Sequence, residues 1–261
     1  MIEDILRNYE PISLEDMSGI RLMNRTDTKF VTTLGRLEAL LAEAGEEYYA
    51  QEIDGRRLAS YYTLYFDTGE CAMFRAHHNG KLNRQKLRIR SYVDSNLDFL
   101  EVKTKNNHGR TKKKRVALGE GFDHSHCLSL GEAVGEPEGY RDFLSQYLRY
   151  DPSVMEGKIE NRFRRITLVN KGKTERLTID TGIKFHNIRE DSDLELEGLV
   201  IIELKRDGLI PSPILEMLRR MRIKPMGFSK YCMGMVMTDN GIMTNRFRPR
   251  LTKIDKIIHS R

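Results

Sequence analysis

The chain has 261 residues, 39% of them hydrophobic and 31% charged, a balance that builds a sizeable core and excludes both a disordered polyelectrolyte and a membrane protein. Lysine and arginine total 44 against 38 acids, a formal net charge of +6, which favours polyanionic partners without choosing among nucleotides, nucleic acid and lipid headgroups. Cys71, Cys127 and Cys232 are odd in number and widely spaced, so neither a disulfide framework nor a thiolate zinc site is expected, and a reducing cytoplasm fits.

The N-terminal segment MIEDILRNYEPISLEDM carries acids where a secretory signal needs a basic region and an apolar run, and no stretch of about 18 apolar residues follows it. Export and membrane crossing are therefore not expected. Ser13 and Asp16 form a start resembling a capping box, and after Thr33 the residues Leu34, Leu37, Leu40, Leu41 and Ala44 recur at helical spacing up to Gly45. Residues 1–45 thus read as N-terminal helices. From Tyr61 the period changes to two in YYTLYFD, KLRIRSYV, DFLEVKTK, RITLV, RLTID and GLVIIELK, which predicts strands of an antiparallel sheet or barrel. Two helices interrupt them, EGYRDFLSQYLRYDP and PSPILEMLRRMRIKP, the second bracketed by prolines. The basic tail 245–261 is expected to pack on or flank the domain as a docked or frayed helix. No linker composition or repeat divides the chain, so 1–261 reads as a single α+β domain.

Successive strand side chains point to opposite faces, so Lys86, Arg88 and Arg90 project one way while Leu87 and Ile89 project the other. The same alternation groups Glu101 with Lys103 and Lys105, Arg176 with Thr178 and Asp180, and Glu203 with Lys205. One such strand is ordinarily the solvated side of a half-buried sheet. Here cations recur at strand centres with single carboxylates among them. If the sheet closes into a barrel, that face becomes a lumen whose like charges require an anionic guest. Phosphates suit it better than carboxylates, because arginine forks and lysine point charges both serve phosphoryl oxygens and a glutamate can hold the accompanying divalent metal.

These residues resemble the triphosphate tunnel metalloenzymes and, within them, the catalytic domain of vacuolar transporter chaperone polyphosphate polymerases. The resemblance runs from about Arg25 to Gly234 and rests on the order of T-D-T-K-F-V, L-Y-F-D-T at 64–68, L-R-I-R, F-L-E-V-K-T, R-I-T, R-L-T-I-D-T, I-I-E-L-K and F-S-K-Y. Hydrolytic members typically open with E-x-E-x-K, whereas R-T-D-T-K here places Arg25 and Asp27 at the glutamate positions, which favours the polymerase branch. The position before F-S-K, which can be lysine in the family, is Gly227, leaving one phosphate contact to be omitted or supplied by Lys224.

The resemblance implies an eight-stranded antiparallel tunnel with flanking helices that transfers the γ-phosphoryl group of ATP to a polyphosphate chain. It assigns Lys29, Arg88, Arg90, Lys103, Arg165, Arg176 and Lys230 to phosphate contacts in catalysis, Ser229, Lys205 and Glu101 to cofactor binding, and Glu203 to Mn²⁺ or Mg²⁺. Expected partners are ATP, polyphosphate or pyrophosphate, and a separate membrane protein that would bring the chain to the inner face of a membrane; nucleic acid is not expected, because basic strands with interleaved aromatics are lacking. A tripolyphosphate or nucleoside triphosphate hydrolase of the same fold and a non-catalytic binding module for polyphosphate or RNA are the alternatives. His124-Ser-His-Cys127 with Asp123, and His77 with His78, read as scattered surface histidines in preference to a zinc cluster. Lys112–Arg115 reads as a solvated loop in a turn, the alternative being a run that feeds anionic chains towards the tunnel mouth, and the methionines after Cys232 read as core packing.

Overall fold

The computed structural model describes residues 1–18, 20, 25–119, 125–135, 138–208 and 210–259. The first elements are α1 (Ile2–Arg7), β1 (Glu10–Ile12) and α2 (Leu14–Ser18), with the Ser13 hydroxyl accepting from the Asp16 amide at 3.1 Å as the capping pattern predicts. β2 (Arg25–Thr33) leads into α3 (Leu34–Ala44), whose start is capped by Thr33. The region expected to be helical therefore also holds two strands, because β2 contributes Phe30 to one core and Val31 to another.

β3 (Tyr48–Gln51) and β4 (Ala59–Thr68) precede α4 (Ala72–His78), followed by β5 (Arg84–Tyr92), β6 (Leu97–Lys105) and β7 (Thr111–Ala117). Lys112–Arg115 lies within β7 and not in a turn. As an edge strand, β7 leaves Lys112–Arg115 largely exposed, and its register against β6 sets Arg115 opposite Glu101. His77 and His78 are on α4, packed around Phe247 and not scattered on the surface; burial, with Lys86 and Arg84 nearby, pushes the His77 pKa down to about 3. Asp123 and His124 lie outside the described residues.

The second half contains α5 (Leu130–Val134), α6 (Glu138–Tyr147), the long strands β8 (Met155–Asn170) and β9 (Glu175–Asn187), then β10 (Ser192–Leu196) and β11 (Leu199–Asp207). α7 (Pro213–Arg220), α8 (Lys230–Thr238) and α9 (Arg248–His259) complete the chain. α9 docks through Ile254, so the basic tail is part of the packed domain. Among the described residues no helix is long and apolar enough to cross a membrane.

Eight strands follow the order β2-β11-β9-β8-β4-β5-β6-β7, and every pairing on this path is antiparallel. β10 adds to β9, β3 adds to β8, and β1 pairs with β3 in parallel. Among the described residues β2 and β7 are not hydrogen-bonded to each other, so the walls of the expected tunnel form a deep groove with two edges. The sheet nevertheless wraps around the start of α8: Lys230 meets Asp180 on β9, while Ser229 accepts from Lys86 on β5 at 2.7 Å.

Packing on the convex side explains why the alternating pattern is so regular. Ile166, Leu168, Leu177, Ile179, Ile202 and Leu204 face outward beneath α1, α3 and α7. Leu64, Leu87, Ile89, Leu100 and Val102 do so beneath α5 and α6. Their strand neighbours are thereby committed to the concave face.

Candidate phosphate-binding groove

Register places the charged side chains of neighbouring strands side by side. Lys29 on β2 is opposite Glu203 on β11, which is opposite Thr178 on β9, and Lys205 lies between Asp27 and Arg176. On the other wall Lys86 is opposite Lys103 and then Lys113, and Arg88 is opposite Glu101 and then Arg115. Arg165 on β8 bridges the walls opposite Asp180. All of the predicted strand residues thus share the concave face, and α8 brings Ser229 and Lys230 to it.

α8 can enter the groove because Gly234 has no side chain: a Cβ there would lie 2.9 Å from both Ile159 and Phe185. Tyr231, Met233 and Met235 then fill the apolar end of the groove against Val31, Tyr65, Ile183 and Ile201. Ser229 caps the helix by accepting from the Cys232 amide, so the positive end of the helix dipole faces the charged zone. The methionines pack as the sequence predicts.

Cations outnumber carboxylates in this zone, and Glu101, Asp180 and Glu203 are each held by cations. Asp180 receives two hydrogen bonds from the Arg165 guanidinium, at 2.6 and 2.9 Å, and a third from Lys230. Burial alone would raise its pKa, but Arg165 and Lys230 outweigh burial and hold the carboxyl well below the usual carboxylate range. Glu203 pairs with Lys29 at 2.9 Å and lies 3.6 Å from Lys205, and it too is held well below that range against the opposing effect of burial. Lysines show the converse effect. Burial and surrounding cations lower Lys103, Lys205 and Lys230 to about 8 despite their carboxylate neighbours.

Glu101 has a different task from the ligand contact expected of it. Its side chain is 0% exposed, with one oxygen taken by Arg88 at 2.6 Å and the other by Lys113 at 2.9 Å. It orients Arg88 and has no oxygen facing the groove unengaged. Lys113, paired with this carboxylate, and Arg115, whose guanidinium lies 4.3 Å from the Phe99 ring centroid, belong to the concave face as well. The K-K-K-R run was the signal for them, legible only once it is set in a strand where alternate residues face inward.

The Arg165 guanidinium lies 5.0 Å from the Tyr61 ring centroid, Arg90 lies 5.6 Å from it, and Lys230 lies 3.9 Å from that of Phe163. Tyr61 and Phe163 stack at 5.2 Å and border a cavity of about 940 Å³ that is also lined by Tyr62, Tyr92, Arg162 and Lys184. Lys224, the proposed substitute for a missing phosphate contact, lies elsewhere: it lines a separate cavity outside the groove with Arg36 and Lys256.

For a divalent cation the groove supplies few ligands of its own. Among the described residues no group of three His, Cys, Asp or Glu side chains converges. Glu203 is the most open of the three paired carboxylates, with its side chain 17% exposed. One or two carboxylates completed by water and substrate phosphate oxygens are the usual environment of Mg²⁺, so Glu203 fits an ion that arrives with a triphosphate.

The VTC domain family matches residues 24–238. No curated protein matches the sequence. Among solved structures, a protein from Hippeastrum described as a putative adenylyl cyclase with a dominant triphosphatase activity is similar at 15% identity and a TM-score of 0.45, covering 83% of this chain and 97% of that one. A Pyrococcus horikoshii protein is similar at 12% identity and a TM-score of 0.43, covering 81% of this chain and 98% of that one.

Proposed function

We propose that this chain, which belongs to the VTC domain family, is a polyphosphate polymerase that transfers the γ-phosphoryl group of ATP to the end of a phosphate chain. The observation that carries this reading is the ion pairing in the groove. Its excess of cations calls for a polyanion, and its paired carboxylates are too acidic to take a proton from water. A terminal phosphate is already ionised and needs no such base. Its oxygen attacks the γ-phosphorus as the bond to the bridging β,γ-oxygen breaks, and ADP leaves with that electron pair.

In this reading Lys29, Arg88, Arg90, Lys103, Arg165, Arg176, Lys205 and Lys230 hold the phosphates of donor and acceptor in line, and the Ser229 hydroxyl adds a hydrogen bond. Phosphoryl transfer has a loose transition state, so positioning and charge neutralisation supply most of the rate. Glu203 would hold Mn²⁺ or Mg²⁺, whose role when bound is to neutralise triphosphate charge. The aromatic cavity beside Arg165 would take the nucleoside, stacking the base against Tyr61, Tyr92 or Phe163.

Incubation with ATP, Mn²⁺ and a short phosphate primer tests the reading. A ladder of polyphosphate matched by ADP is expected. A hydrolase of tripolyphosphate or nucleoside triphosphates is the second reading, favoured by Asp27, which β2 places on the same face as Glu203; orthophosphate without a ladder would establish it. Tight binding with neither product would leave a polyanion-binding module.

A further inference from the structure

We propose that the chain has a second polyanion site outside the groove, at the outer edge of β2, that takes a segment of inorganic polyphosphate. The site is a cavity of about 300 Å³ between β2, the first turn of α3, the segment 222–226 and α9. Arg36, Arg222, Lys224, Lys253 and Lys256 line it, and none of its lining residues is acidic. In a surface where charges of both signs normally intermix, five cations converging from separate elements without a carboxylate leave repulsion that an anion relieves.

Two further features make it a site and not a solvated patch. Thr32 lines the cavity and is only 2% exposed, yet its hydroxyl has no hydrogen-bond partner among the described residues. A buried hydroxyl without a partner is costly, and a phosphate oxygen would satisfy it. Thr33, the N-cap of the 11-residue helix α3, also lines the cavity, so the positive end of that helix dipole acts in the same direction. Arg222 occupies the left-handed position after α7, with φ of 54°, where glycine is the usual residue. A long cationic side chain stands there against backbone preference.

The occupant follows from what the site adjoins. Pro225 bridges to Phe30, and the Met226 amide donates to the Lys29 carbonyl at 2.8 Å. The cavity therefore borders the strand that carries Lys29 into the groove, and its lining segment continues to Ser229 and Lys230. A phosphate chain too long for the groove meets these cations as it passes the β2 edge. The naming of that chain rests on the polymerase reading; the site itself does not.

Calorimetric titration of the full chain with tripolyphosphate tests this without turnover. The wild type should show two classes of site. Arg222→Gly with Lys253→Ala and Lys256→Ala should weaken one class by about tenfold or more and leave the other, with Tm unchanged, since charge-assisted contacts are lost while glycine suits the left-handed backbone. Lys103→Ala, which removes a groove cation standing opposite Lys86 and Lys113 and strands no carboxylate, should do the reverse. Thr32→Val should weaken the outer class about threefold. A single class in the wild type, two classes that survive the triple substitution, or loss of both classes in Lys103→Ala would each overturn the proposal. Orthophosphate binding the outer site as tightly as tripolyphosphate would overturn the assignment to a chain. Because no product is measured, failure of the polymerase assay leaves this result standing, and the converse holds too.

Discussion

The two ends of the concave face are built on the same strands and differ in one respect, the residues at inward positions. At one end Val31, Ile159, Ile183, Phe185 and Ile201 are apolar and α8 fills the space. At the other, Lys29, Glu203, Lys205, Arg165 and Arg88 are charged and the space stays open to a ligand. Apolar surface removed from water contributes about 25 cal/mol per Å² without any partner from outside. Buried charge contributes only when paired, and uncompensated cations remain. One end of the groove thus anchors the fold, and the other carries cations that its carboxylates only partly neutralise.

The sharpest way to break this comparison is to remove a charge at the open end whose role is structural. Glu101→Gln leaves Arg88 and Lys113 facing each other in the sheet, and about 3–5 kcal/mol of stability should be lost in chemical denaturation. The same carboxyl is held at about 2, below its ordinary 4.5, because Arg88 and Lys113 outweigh burial. Its stabilisation, about 3 kcal/mol, is complete above pH 4.5 and is lost as pH falls from 4.5 to 2. An acid titration of wild type against Glu101→Gln should therefore converge at the low end of that window.

On the ligand side the order reverses. Glu203→Gln should reduce turnover about 10²-fold while triphosphate affinity, read by calorimetry, holds or rises because a repelling charge is gone. An equal loss of binding and turnover would make Glu203 a structural residue like Glu101. Gly234→Val moves the boundary between the zones: a side chain against Ile159 and Phe185 should cost about 2 kcal/mol and lift Ser229 and Lys230 from the groove, visible as a lower Tm together with weaker triphosphate binding.

The smallest effect expected is that of mild alkali. Lys103, Lys205 and Lys230 are lowered to about 8, and under the proposed function they would bind phosphate as ammonium ions. Affinity should hold below pH 8 and fall by about tenfold as pH rises to 9, with proton uptake on binding that appears as buffer-dependent enthalpy. Affinity flat across that range would mean that the lysines do not meet the ligand.

The sequence by itself determined the strands and which of their residues share a face, because alternation is a local property of extended backbone. Lys86, Arg88 and Arg90 stand together for that reason alone, and so do Glu203 and Lys205. Capping at Ser13 and the helical spacing after Thr33 through Ala44 were legible on the same local grounds. Residue types alone did not separate Glu101 from Glu203, two glutamates each two residues before a lysine. Register did: β7 brings Lys113 and β5 brings Arg88 to close off one of them, while the other pairs with Lys29 and Lys205 and keeps a face to the groove. Composition describes the K-K-K-R run as a solvated turn, whereas pairing with β6 makes it a strand. Tertiary structure alone decided that α8 enters the groove and that Lys224 joins Arg36 and Lys256 outside it, since both depend on contacts between residues far apart in the chain.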